Sequence, residues 1–196
     1  AFTEAWKRFQ LTSGLGESVR GKGKQMIRDF EIPDCLSEPT ERNGYVFSVL
    51  TQAADPVDVF RFRYEVFGQE MGYLDQHECP DGLDQDAFDP SSAHFRVAAP
   101  SGEIVGYCRL IYNSPAGFFG EQFFDLPEPP TDRDRIVEIS RFVIADGYRG
   151  GDPSKLIRAG LFEMMYQHGI ANEIEYAYLT VHRPFLLMLR RSRIPF

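Results

Sequence analysis

Glu138, Ser140 and Arg141 are three polar residues inside an otherwise apolar run from Val137 to Ala145. The run is rich in β-branched and aromatic residues and follows loop formers, so it reads as a strand. With a side-chain period of two, Glu138 and Ser140 share one face and Arg141 takes the other, unless a bulge intervenes. A buried polar group without a partner costs about 1–3 kcal/mol, and a charged one more. These groups therefore need other side chains, water or a substrate. An internal Glu–Arg pair is the purely structural solution. Two further cations interrupt apolar patterns. Arg63 falls between Phe60 and Phe67 on a helical stripe, where it either serves a site or snorkels its stem along the core edge. Arg109 breaks the run from Ile104 to Tyr112.

The segment from Gly72 to Ser92 carries Asp75, Glu78, Asp81, Asp84, Asp86 and Asp89. A loop of that length is uncommon unless it is functional or disordered. It lacks the Gly and Glu placement of an EF-hand, which disfavours calcium. Attraction of a cationic amine and a merely solvated charge run both remain as readings.

The elements that carry these residues follow from pattern. Tyr45–Leu50 is the first strand. Asp55 caps a helix that has Pro56 in its first turn and runs to about Met71, with Arg61 and Glu65 spaced to pair in solvent. Residues 94–99 and 104–112 are strands around a turn at Ser101 and Gly102. Residues 118–124 form a short helix or turn, and 127–131 a linker. Asp152 and Pro153 open a helix whose Ile157, Leu161, Met165 and His168 share a face. Residues 174–181 form a strand, and residues 183–193 a short helix or turn. The division expected is an N-terminal helical and irregular leader over 1–43 and one domain over 44–196. In the leader, residues 2–9 suit a short helix, and Lys7, Arg8, Arg20, Lys22, Lys24 and Arg28 make it locally basic.

With 196 residues, 43% hydrophobic and 26% charged, the chain has the make-up of a globular domain with a sizeable core. Its net charge of −8 argues against nucleic acid as a partner. No apolar run reaches membrane-span length, and no signal-peptide layout opens the chain. Cys35, Cys79 and Cys108 are scattered, odd in number and without zinc spacing. They point to a reduced, cytoplasmic protein without a metal site.

Four motifs occur in order: Arg63 with Val66 and Phe67; Asp86 with Asp89; Gly106 with Arg109 and Leu110; and Glu138 with Ser140, Arg141 and Phe142. Together they resemble the autoinducer-synthase branch of the acetyltransferase-like (GNAT) superfamily, related to acyl-homoserine-lactone synthases and N-acyl amino acid synthases. The stretch from Glu78 to Pro90, followed by Ser92 to Phe95, is most similar to acyltransferases associated with PEP-CTERM/exosortase systems. The resemblance implies an α/β fold, a three-layer α/β/α sandwich around a central mixed sheet. It also implies acyl transfer from a carrier-protein or coenzyme A thioester to an amine. It departs at Tyr73, where lactone synthases usually carry Trp, which favours an N-acyl amino acid product over a lactone. Gly150 and Gly151 only partly echo the usual pyrophosphate loop, and Asp152 puts a carboxylate at that helix start. An acyl carrier protein is thus the expected donor, with coenzyme A the less natural alternative, and no bound cofactor and no metal are expected.

An amine attacking a thioester must lose a proton, and Glu138 is the expected base, with Ser140 positioning water or substrate. Backbone N–H groups beside a bulge are the expected oxyanion donors. Arg63, Phe67, Tyr73, Asp86, Asp89, Arg109, Arg141 and Phe142 are the expected substrate-binding residues. Asp86 and Asp89 either pair with the arginines or hold the amine. Arg183, Arg190 and Arg191 are the expected docking patch for the acidic carrier protein. The alternatives are a lactone synthase using S-adenosylmethionine and a non-catalytic acyl-thioester sensor on the same fold.

Overall fold

Alternation of apolar and polar residues sorts the two faces of one six-stranded sheet. The computed structural model describes residues 30–50, 54–179, 181 and 183–191. The basic stretch and short helix expected within residues 1–28 lie outside the described residues. The strands are β1 (Thr40–Arg42), β2 (Tyr45–Leu50), β3 (Ser92–Ala98), β4 (Ile104–Tyr112), β5 (Ile136–Ile144) and β6 (Tyr176–Leu179). They lie side by side in chain order. Neighbours are antiparallel except β5 and β6, which are parallel, so the sheet is mixed as expected. The sheet begins at Thr40, ahead of residue 44, where the sequence reading starts the domain.

One face carries Phe47, Val49, Phe95, Val97, Leu110, Val137, Ile139 and Leu179. It packs on α3 (Gly151–Ala171), whose Ile157, Leu161, Met165 and His168 are all buried, as their spacing predicts. Each fully buried Leu or Ile of this kind contributes roughly 1.5–3 kcal/mol. Close approach of helix and sheet depends on two missing side chains. A Cβ at Gly160 would overlap the Phe47 ring, and one at Gly106 would meet Ile157. The short α1 (Asp34–Ser37) and α4 (Arg183–Arg191) flank the same layer.

The opposite face carries His94, Tyr107, Arg109, Glu138 and Ser140, and α2 (Val57–Arg63) covers one end of it. Asp55 accepts the Val57 N–H at 3.0 Å, the cap expected of it. Arg61 pairs with Asp58 at 3.3 Å instead of the expected Glu65. Beyond Arg63 the helix widens into a π-helical stretch, Tyr64–Glu70, a local irregularity frequent at functional sites. The acidic loop and the segment between β4 and β5 close the rest of this face. No described helix is long and apolar enough to cross a membrane.

The bulge that the period-two argument left open is present in β5. Tyr107 pairs with Val143 and Arg109 with Ser140, so Arg141 and Phe142 together oppose Cys108. Arg141 adopts φ 54°, the left-handed conformation that a bulge accommodates. The extra residue rephases the strand. Arg141 therefore joins Glu138 and Ser140 on their face, while Phe142 turns toward α3. A second consequence lies at the other edge of β5. Its parallel pairing with β6 stops at Ile139 and Leu179, although its pairing with β4 continues to Ile144. Among the described residues, Ser140–Val143 thus have strand neighbours on one side only.

Candidate active site

Glu138 sits at the centre of the polar face and is 1% exposed. Both carboxylate oxygens accept the Gly120 N–H at 3.1 Å, and the Phe119 N–H also hydrogen-bonds to the group. It forms no ion pair among the described residues, so an internal Glu–Arg pair is not what satisfies it. Burial pushes its pKa up to about 7, against the lowering effect of these backbone N–H groups and of Arg109. A carboxylate poised there can take a proton near neutral pH.

Beside it lies a buried cluster of three arginines and three aspartates. Arg63, at the α-to-π junction, donates to Asp84 at 3.0 Å and to Asp89 at 2.6 Å. Arg109 grips Asp86 through two bonds of 2.7 Å, reaches Asp89 at 2.5 Å, and donates Nε–H to Ser140 Oγ at 3.1 Å. Arg141 donates Nε–H to Asp84 at 2.8 Å, which the bulge makes possible. Burial alone would raise the Asp86 carboxyl, but the hydrogen bonds and charge of Arg109, helped by Arg63, bring it down to about 2. Burial likewise opposes ionisation of Asp84, and Arg141 and Arg63 overcome it. The carboxylates of the acidic loop that matter are thus engaged by guanidinium groups. No group of three His, Cys, Asp or Glu able to hold a metal occurs among the described residues.

Three of the expected binding residues lie at the bottom of this arrangement. Arg63 and Arg109 are fully buried, and Asp89 nearly so, each held by ion pairs to the others, with Arg63 Nη2 left without a hydrogen bond. They bind one another at the buried base of the cluster, below the members that keep surface. Asp86 and Arg141 are the members that keep surface, with side chains 22% and 15% exposed. Asp84 does as much as Asp86 in holding the cluster, yet sequence reasoning left it among the other loop acids. The signal available was its even spacing with Asp86 on a loop facing three unexplained arginines.

Sequence reasoning also missed the support behind the cluster. His94 Nδ1 lies 2.6 Å from the Tyr107 hydroxyl, and Nε2 lies 3.3 Å from the Asp89 carbonyl oxygen. Those partners fit a neutral ring that carries its hydrogen on Nε2 and accepts at Nδ1. Burial, the largest influence, lowers the His94 pKa to about 4, so the ring is neutral at neutral pH. The rule that exposed Arg109, a polar residue at an inward position of a strand, would also have found His94.

The remaining expected residues divide between the two faces. The Phe67 ring lies under the Arg141 guanidinium at 5.4 Å, and Phe119 flanks it at the same distance. Tyr73 lies beyond the π stretch and is 60% exposed. Phe142 is not with them. The bulge turns it to the α3 face, where it stacks on Phe162 at 5.0 Å and meets Phe185 of α4 at 5.3 Å. Arg190 and Arg191 are exposed on α4, and Arg183 occupies its first turn.

The family described as acetyltransferase (GNAT) domain matches residues 62–159, from α2 into α3. The matched span takes in every residue of the ion cluster and Glu138. Solved structures give the same fold. BjaI, a coenzyme A-dependent acyl-homoserine lactone synthase, aligns with TM-score 0.58 at 18% identity over 76% of this chain and 72% of its own. The acyl-homoserine lactone synthase LasI aligns with TM-score 0.56 at 17% identity over 76% of this chain and 77% of its own. FeeM, an N-acyl amino acid synthase from uncultured soil microbes, aligns with TM-score 0.53 at 15% identity over 76% of each chain. No curated protein matches the chain. The mixed sheet, the helices on its two faces and a match over half of the sequence lead to one assignment: the chain belongs to the acetyltransferase (GNAT) domain family and is an acyltransferase.

Proposed function

We propose that the protein moves an acyl group, expected to be long-chain, from an acyl carrier protein thioester to the amine of an amino acid or similar small molecule. The observation that carries this reading is the state of Glu138. It is a buried carboxyl on β5 that forms no ion pair among the described residues and is raised to about 7. An extended thioester arm with amide groups fits the edge of β5 over Ser140–Val143, which has no strand partner on that side among the described residues.

The neutral amine attacks the thioester carbonyl carbon, so a C–N bond forms and the C–S bond breaks. Glu138 takes the amine proton, directly or through one water, and the departing thiolate is then protonated. Ser140 accepts from Arg109, which leaves its hydroxyl hydrogen to donate to that water or to substrate. Backbone N–H groups beside the bulge at Arg141 are the oxyanion donors. Arg141 and Asp86, the cluster members at the surface, meet the acceptor's carboxylate and ammonium groups. Phe67 and Phe119 frame Arg141 and Tyr73 lies at the rim, while Phe142 acts through packing. Arg183, Arg190 and Arg191 on α4 receive the acidic carrier protein.

The test supplies purified protein with an acyl carrier protein donor, or acyl-coenzyme A in parallel, and separate pools of amino acids and S-adenosylmethionine. Mass spectrometry is expected to show a linear N-acyl amino acid without S-adenosylmethionine. A lactone formed only with S-adenosylmethionine would replace this reading with a lactone synthase, and donor binding without turnover would replace it with a sensor.

A further inference from the structure

The N–H groups that hold Glu138 come from a turn that is itself clasped. The segment Phe119–Gln122 forms one 3-10 turn between β4 and β5. Glu121 folds back so that Oε2 accepts the Phe118 N–H at 2.9 Å, and the same carboxylate takes two bonds from Arg133 Nη2, at 2.6 and 2.7 Å. Gly117, at φ 73°, leaves room for this, since a Cβ there would collide with Glu121 Oε2. Arg133 is fixed from two more sides. Its Nε–H donates to Asn113 Oδ1 at 2.8 Å, and its guanidinium lies 4.7 Å from the centre of the Phe118 ring. Asn113 in turn donates to Asp134 at 2.7 Å. None of these side chains reaches the Glu138 carboxylate, yet all converge on the turn that does.

We propose that Arg133 and Glu121 are positioning residues for acyl transfer, clasping the turn so that the Phe119 and Gly120 N–H groups meet the Glu138 carboxylate. This rests on Glu138 being the base, as proposed above. A loosened turn withdraws two donors from the ionised carboxylate, so the group holds its proton to higher pH. The other groups facing Glu138 are Arg109 from β4, Glu121 from the turn and Tyr178 from β6. Removing Arg133 also leaves the Glu121 charge uncompensated, which acts in the same direction.

The experiment compares the pH profile of kcat for the wild type with Arg133→Met, Arg133→Lys and Asn113→Ala. The Glu138 carboxyl is titrated in the same proteins by ¹³C NMR with labelled glutamate. Arg133→Met is expected to move the acid limb up by about one pH unit. That lowers kcat about fivefold at pH 7 and leaves it nearly unchanged at pH 9. Arg133→Lys keeps the charge without the fork and is expected to shift part of the way. Asn113→Ala spares the ion pair and serves if Arg133→Met does not fold. An upward NMR titration with an unmoved acid limb would support the clasp and overturn Glu138 as base. An unmoved NMR titration in folded variants, or loss of kcat equal at every pH, would overturn the clasp.

Discussion

Glu138 is kept at a cost to stability, and that cost has a pH signature. Its folded pKa of about 7 lies above the ordinary 4.5. The folded state therefore holds a proton that the unfolded chain releases between those values. Stability contributed by the neutral form is present below 4.5 and lost as pH rises through 7, on the order of 3 kcal/mol. His94 and His168, both lowered to about 4 by burial, titrate in the opposite sense over the acid part of that window. The comparison with Glu138→Gln isolates the glutamate. In denaturant unfolding at pH 5 and pH 8, the variant is expected to gain on the wild type by roughly that amount at the higher pH. An unchanged difference between the two pH values would contradict the buried, raised carboxyl. At this scale the sequence is informative wherever a charge interrupts an apolar pattern, as at Arg63, Arg109 and Glu138. It is silent about Gly120, because the group that matters there is a backbone N–H that almost every residue carries.

The elements place these groups through two irregularities, a π-helical stretch after Arg63 and a bulge at Arg141. Strand and helix positions are legible because period-two and helical spacing persist through β2 to β5 and α3. Phase is not legible across a bulge, so the face of Arg141 depends on a single inserted residue, and Phe142 moves with it. β1 escapes sequence reading for a related reason: three residues, none fully buried, carry no pattern. The bulge also brings Phe142 of β5 against α4, where it packs on Phe185. Exposed Arg190 and Arg191 thus stand on a helix packed against β5, on a protein of net charge −8. Charge pairing of this kind speeds encounter and weakens with salt. Arg190→Glu combined with Arg191→Glu is expected to raise KM for an acyl carrier protein donor about tenfold or more, and hardly to change it for a short acyl-pantetheine. Equal effects on the two donors would remove α4 as the docking helix.

At the scale of the whole molecule, the sheet divides the labour. Its α3 face holds the apolar core, and its other face holds a charge-balanced cluster, Glu138 and the turn that grips it. The fold class is legible from ordered motifs and periodicity. The neutrality of the cluster is not, because it depends on which loop carboxylates reach which arginines across more than twenty positions of sequence. The central claim is that Glu138 removes the proton when amine meets thioester. The most direct test is amine-dependent release of free thiol by Glu138→Gln and wild type, each shown to be folded in the same buffer. A loss of about 10²–10⁴-fold in kcat is predicted, with donor binding retained. Turnover by the folded variant at the wild-type rate would contradict the account.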